Sequence, residues 1–245
     1  MALEKDNKIE RLQKELEDFT YIVSHDLSAP IRHIEQFSML LTQRLSAREM
    51  LNPEEQQFLD ILANSAHRAR AMVTAIHKLS RINTAELDIR PVVLSDFIEK
   101  IASELKRHDH NRELLLTIED DLGEIDTDSR ILHDVIHAVL DNVIRFSPAD
   151  TKPEVRIVGQ TNEEKQLDID FIDNGTGISS DLSEKVFQCF FQENRDKADI
   201  QHLGIGLTSA RRGARRLNGD ITVYSKDPNS PGWPRLILPT ENASH

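Results

Sequence analysis

Apolar residues recur at Ile9, Leu12, Leu16, Phe19 and Val23, in steps of 3, 4, 3 and 4. That spacing is the a/d seam of a coiled coil, so the start of the chain is committed to a long helix with one sticky edge. The seam continues through Leu27, Ile31, Ile34, Leu41 and Leu45. Between Phe19 and Leu27 two four-residue steps follow each other, a stutter that locally unwinds a coiled coil. Pro30 lacks an amide donor and crowds the preceding turn, which adds a kink at the same place. His25 falls two residues after Val23 and off the seam, so its imidazole faces solvent or a partner.

A second helix is announced by Asn52-Pro53-Glu54-Glu55: an N-cap, a proline in the first turn, and acids at the positive end of the dipole. Phe58, Leu62, Ala69, Met72, Ile76 and Leu79 form its apolar stripe. Two such helices joined by a short loop make an antiparallel hairpin, which buries too little to stand alone in water. Dimerisation into a four-helix bundle is the expected remedy. From about Leu87 the pattern turns to mixed α and β. Strands are expected at Ile89–Leu94, Leu114–Ile118, Glu154–Val158, Leu167–Ile172, Ile221–Tyr224 and Leu236–Leu238, and helices at Asp96–Arg107, Ser129–Phe146 and Gly204–Leu217. The fold class is therefore α+β, with a helical unit over residues 1–86 and a second domain over 87–245.

A net charge of −12 argues against nucleic acid as a partner. No apolar run is long enough for a membrane span. The first residues are polar, unlike a signal peptide. A single cysteine, Cys189, allows no intrachain disulfide, and a reducing cytoplasmic setting is expected.

Chemistry gathers in the second domain. Asp173 ends a strand and opens Asp173-Asn-Gly175-Thr-Gly177, where a carboxylate can read an amino group and the glycines admit a ligand close to the backbone. Gly204-Ile-Gly206-Leu207 opens a helix, whose free amides and dipole suit phosphates. The polar stretch from Phe187 to His202 between them is long enough for a lid. Asn142 lies on the helix Ser129–Phe146 and offers an amide oxygen to Mg²⁺. Arg145, one turn on, can meet phosphate. Ordinary readings apply elsewhere: His33, His67 and His77 as surface or packing residues, His133 and His137 as helix surface, and Cys189 as a small buried residue. Arg211-Arg212 and Arg215-Arg216 read as a solvated helix face that could meet an acidic partner.

Taken in order, these motifs resemble the sensor histidine kinases of two-component systems over essentially the whole chain. Ser24-His25-Asp26-Leu27 with Pro30, after Phe19, resembles their phosphoacceptor box and is most like the phytochrome-type branch. Asp128 to Pro148 resembles the asparagine box, Asp173-x-Gly-x-Gly and Gly204-x-Gly-Leu the two glycine boxes, and Phe187 to Phe191 the phenylalanine box. The resemblance implies a dimerisation and phosphotransfer hairpin followed by an ATP-binding α/β sandwich, of the class shared with gyrase, mismatch-repair ATPases and heat-shock chaperones. It implies that His25 is the nucleophile and that Asp26 accepts a proton from its ring. Asn142 would hold Mg²⁺ and Asp173 would read adenine. Gly175, Gly177, Gly204, Gly206 and Leu207, with Arg145, would shape the ATP pocket. The implied partners are a second copy of the chain, a response regulator receiver domain, and a sensor domain upstream.

The chain departs from the family pattern in places. Ala138 replaces the usual second asparagine, Arg145 and Phe146 replace a lysine and a tyrosine, and His202 stands where a glycine is expected. Ala29, four residues after His25, lacks the polar group that would position water for dephosphorylating a regulator. The alternative expectation is a dimeric nucleotide-binding pseudokinase scaffold that signals by conformation or sequesters a regulator.

Overall fold

The computed structural model describes residues 27–45, 52–81, 86–108, 113–119, 121–192, 204–227 and 230–240. The chain divides into two compact units; described residues up to Arg81 belong to one and those from 86 onward to the other.

The first unit is helical. Helix α1 covers residues 27–45 and runs through Pro30. Helix α2, Pro53–Arg81, starts on a reciprocal capping box: the Glu55 amide donates to Asn52 Oδ1 at 2.8 Å and the Asn52 amide to Glu55 Oε2 at 2.9 Å. The Glu35 carboxylate on α1 receives Arg70 Nε of α2 at 2.9 Å and sits 3.2 Å from His67 Nδ1. Large apolar side chains stay open on both helices: Ile34 and Leu41 of the seam, Phe58 and Leu62 of the stripe, and Phe37 and Ile61 beside them are all exposed. No helix among the described residues is long and apolar enough to cross a membrane.

The second unit is a two-layer α/β fold. Strands β1 (Ile89–Val93), β2 (Leu115–Glu119), β3 (Glu124–Asp128), β4 (Glu154–Thr161), β5 (Gln166–Asp173), β6 (Asp220–Tyr224) and β7 (Trp233–Pro239) alternate with helices α3 (Leu94–His108), α4 (Ser129–Phe146) and α5 (Gly206–Arg216). The main sheet has the order β2-β4-β5-β7-β6; β2 and β4 are parallel and the remaining pairs antiparallel. β1 and β3 form a separate antiparallel pair that sets Val92 opposite Ile125. One sheet face is apolar by alternation: Val155 and Ile157, then Leu167, Ile169 and Phe171, then Leu236 and Leu238, all buried. Ile98 and Ile101 of α3 and Leu132, Ile136, Val139 and Leu140 of α4 join them in one continuous core. On the opposite face Arg235 is clamped to Asp170 at 2.6 and 2.8 Å and to Asp168 at 3.2 Å, and stacks 3.4 Å from the Tyr224 ring centroid.

Strand β3 was not expected from the sequence. Glu124, Asp126 and Asp128 give it an acidic composition that hides its strand character, and pairing with β1 decides the matter. α3 begins at Leu94 rather than Asp96, and the Leu94 amide, which has no partner within the helix, donates to the Gly123 carbonyl at 3.0 Å.

Candidate functional site

Helix α4 is positioned from its first residue. Asp128, fully buried, caps it by accepting from the amides of Arg130 at 2.9 Å and Ile131 at 3.3 Å, and it also accepts from the Asp88 amide at 2.9 Å. Burial would raise the Asp128 carboxyl. The Arg130 guanidinium, with those three amides, wins and holds it at about 2. A cap this firm fixes the rotation of α4 and therefore the direction of Asn142, fourteen residues on.

At the far end of α4 the helix meets the end of β5. Asp173 Oδ1 accepts the Gly175 amide at 2.7 Å, and burial pushes its carboxyl above the ordinary range against that hydrogen bond. A Cβ on Gly175 would lie 2.6 Å from Asp173 Oδ1 and 3.1 Å from the Phe146 carbonyl, so only glycine fits between the two. Gly177 follows beside Pro231, and the backbone of Ile178 pairs with Gly232 through hydrogen bonds of 2.9 and 2.8 Å.

The third side is the start of α5. Gly206 packs against α4 with its Cβ direction 3.9 Å from Ala138 Cβ and 4.0 Å from Asn142 Oδ1. Among the described residues no side chain caps α5, so its first amides keep their capacity for an anion. Gly204 has φ +66°, and a Cβ there would be driven into the Phe191 carbonyl. Its own carbonyl accepts the Phe190 amide at 3.0 Å, and Phe190 is itself left-handed at φ 64°. Arg145 is tied to Asp141 at 2.7 Å through Nη2, while its Nη1 is buried without a partner among the described residues. Asn142 and Arg145 on α4, Asp173 and Gly175 at the end of β5, and Gly204, Gly206 and Leu207 at the start of α5 thus all lie in the second unit.

Residues 127–235, which contain all of these groups, match the family model described as histidine kinase-, DNA gyrase B- and HSP90-like ATPase. Over 212 residues the chain is 26% identical to the adaptive-response sensory kinase SasA of Rippkaea orientalis, covering 83% of this chain and 53% of SasA. It is 24% identical over 225 residues to the phytochrome-like protein Cph1 of Synechocystis, covering 89% of this chain and 28% of Cph1. Residues 127–235 are thus similar to the histidine kinase-, DNA gyrase B- and HSP90-like ATPases, and over most of its length the chain is similar to a protein named as a sensory kinase. It spans about half the length of SasA and less of Cph1. Among solved structures, full-length ShkA in complex with AMPPNP shares its fold, with a TM-score of 0.62 at 18% identity over 93% of this chain and 47% of ShkA.

Several expectations for this histidine kinase relative need restating. His25 and Asp26 lie outside the described residues, as do residues 193–202 of the expected lid. Cys189, expected to be buried, is exposed because the turn Lys185–Phe187 buries Phe187 and turns the next residues outward. Arg211, expected on a solvated face, has only 15% of its side chain exposed: it bonds Glu184 at 2.7 Å and Asp220 at 3.1 Å and lies 4.6 Å from the Phe187 ring centroid. His133 bonds Glu104 at 3.0 Å, and among the described residues no group of three or more His, Cys, Asp and Glu could hold a metal.

Sequence reasoning missed Asn174. Its Oδ1 accepts from Ser147 Oγ at 2.9 Å and the Glu154 amide at 3.1 Å, and its Nδ2 donates to the Lys152 carbonyl at 2.9 Å. One side chain thereby ties the end of α4, the following loop and the start of β4 to the Asp173 turn. Asn before Gly is also the commonest turn signal, which masks such a role.

Proposed function

We propose that this chain is an ATP-dependent protein-histidine kinase that phosphorylates its own His25 and passes the phosphoryl group to an aspartate of a response regulator. The observation that carries the reading is the placing of Asn142 beside Gly206 at the start of α5 and of Asp173 beside Gly175, with Gly175 and Gly204 at positions where a Cβ would crowd its neighbours. The match of residues 127–235 to the ATPase family model and the likeness to the sensory kinase SasA support it, as does the nucleotide analogue held by ShkA.

In this reading Asp173 receives the adenine amino group, the α5 amides and Arg145 meet phosphate oxygens, and Asn142 Oδ1 holds Mg²⁺. The buried, unpartnered Arg145 Nη1 fits a phosphate oxygen that would complete it. Mg²⁺, when bound, would offset charge on the transferred group. A ring nitrogen of His25 attacks the γ-phosphorus in line; a P–N bond forms as the bond to the bridging oxygen breaks, and ADP leaves. Asp26 takes up the proton on the other ring nitrogen, which keeps the attacking lone pair available. The phosphoramidate then transfers to a carboxylate of the receiver domain.

The helical unit suits this role as a hairpin that dimerises into a four-helix bundle. Its open row of Phe37, Leu41, Phe58 and Leu62 needs a partner, and a second copy supplies a self-complementary one. Input would arrive from a sensor domain upstream through the heptads. The test is incubation with γ-labelled ATP and Mg²⁺. Acid-labile, base-stable label on the protein is expected, whereas unlabelled protein that still binds nucleotide would contradict the kinase reading.

A further inference from the structure

Asp173 Oδ1 and the Gly175 amide close the turn at the end of β5 across a single residue, Asn174. The turn abuts the last residue of α4: a Cβ on Gly175 would lie 3.1 Å from the Phe146 carbonyl, so the backbone there has no slack. The next residue, Ser147, opens the connection from α4 to β4, and Lys152 and Glu154 close it. The Asn174 carboxamide reaches both ends. Its Oδ1 lies 2.9 Å from Ser147 Oγ and accepts the Glu154 amide at 3.1 Å, and its Nδ2 donates to the Lys152 carbonyl at 2.9 Å. The Asn174 amide also donates to the Glu154 carbonyl at 3.2 Å.

We propose that Asn174 is a positioning residue for base recognition: it sets the Asp173 carboxylate against the end of α4, and through Asp173 it makes the pocket prefer a purine that carries an amino group. The inference rests on the reading of Asp173 as the group that meets the adenine amine. Among the described residues no other side chain bonds the Asp173 carboxylate, so its aim is inherited from the turn. Oδ1 is taken by the Gly175 amide, which leaves Oδ2 to accept from a ligand. An ionised carboxylate only accepts, so it favours an amino group and repels a carbonyl oxygen at the same place. That preference is as sharp as the turn is fixed, and the carboxamide that fixes it is engaged by Ser147, Lys152 and Glu154 rather than by ligand.

The test compares the full chain with its Asn174→Ala variant by calorimetry, using ADP and inosine 5′-diphosphate, in which a carbonyl replaces the amino group. ADP binding is expected to weaken about tenfold in the variant and the inosine nucleotide by no more than about twofold, which also reports an intact fold. In an Asp173→Asn background the same substitution weakens ADP by no more than about twofold further, because the group it acts through has already lost its charge. A ligand-free readout stands beside these. The Asp173 carboxyl, followed by carbon NMR across a pH series, titrates lower in Asn174→Ala than in the parent, since a loosened turn admits water to a group that burial pushes up. An unmoved Asp173 titration overturns the positioning role. Equal weakening of both nucleotides, or an ADP loss that persists in full in Asp173→Asn, overturns it as well. A parent that binds the two nucleotides alike overturns the base-reading role of Asp173 and the selectivity argued from it, and the titration then still decides whether Asn174 holds the turn.

Discussion

Burial pushes the Asp173 carboxyl above the usual carboxylate range, and the Gly175 amide pulls it part of the way back. A folded-state value above the unfolded one means that the native protein holds this proton more tightly, so the group costs stability as pH rises through that window. Asp173→Asn removes the buried charge. The apo variant is expected to melt higher than the parent near neutral pH, with the gap closing in acid as the parent's own carboxyl protonates. ADP affinity, measured by calorimetry, should drop about ten- to a hundredfold, the cost of one lost charged hydrogen bond. Unchanged ADP affinity would remove Asp173 from the pocket. Asp128 has the opposite sign. Its carboxyl is held at about 2, so its contribution is complete above pH 4 and is lost as pH falls toward 2. Asp128→Asn should cost on the order of 2 kcal/mol in urea unfolding at neutral pH and flatten the acid limb of the stability curve. An acid limb identical to the parent's would refute that assignment.

Among the elements, the start of α5 is the most sharply constrained. Gly204 stands left-handed between the phenylalanine-rich turn and the helix, its carbonyl bonded to the Phe190 amide. Gly204→Ala is expected to destabilise the second unit by about 1–3 kcal/mol, because the new methyl group meets both an unfavourable φ and the Phe191 carbonyl. Thermal melts read this directly; a melting temperature equal to the parent's would contradict it. Most elements were legible because their signals are local. The Asn52–Glu55 box, the alternation of β5 and the stripe of α4 each lie within one stretch of sequence. What stayed hidden depends on distant partners. β3 is acidic and owes its strand state to β1, Cys189 is turned outward by the burial of Phe187, and Arg211 is withdrawn from solvent by Glu184 and Asp220. The residues proposed for the nucleotide pocket were singled out for a different reason: glycines and a strand-ending carboxylate at fixed spacing leave few chemical uses.

At the scale of the whole molecule, the first unit leaves a row of large apolar side chains open on α1 and α2, with Phe37 at 64% exposure and Phe58 at 60%. The full chain is expected to sediment as a dimer at micromolar concentration, and Phe37→Glu to shift it toward monomer; a parent that stays monomeric would refute the bundle. In the proposed kinase reading a dimer matters because His25 and the residues proposed to hold the nucleotide lie in different parts of the sequence, and a dimeric hairpin would present the phosphoacceptor. The central claim is that His25 takes the phosphoryl group. Its most direct test is peptide mapping of the full chain after incubation with γ-labelled ATP and Mg²⁺, beside His25→Gln and Asn142→Ala. Label confined to the peptide containing His25, absent in His25→Gln and nearly absent in Asn142→Ala, is the predicted result. Label persisting in His25→Gln, or none in a parent that binds ATP, would contradict it.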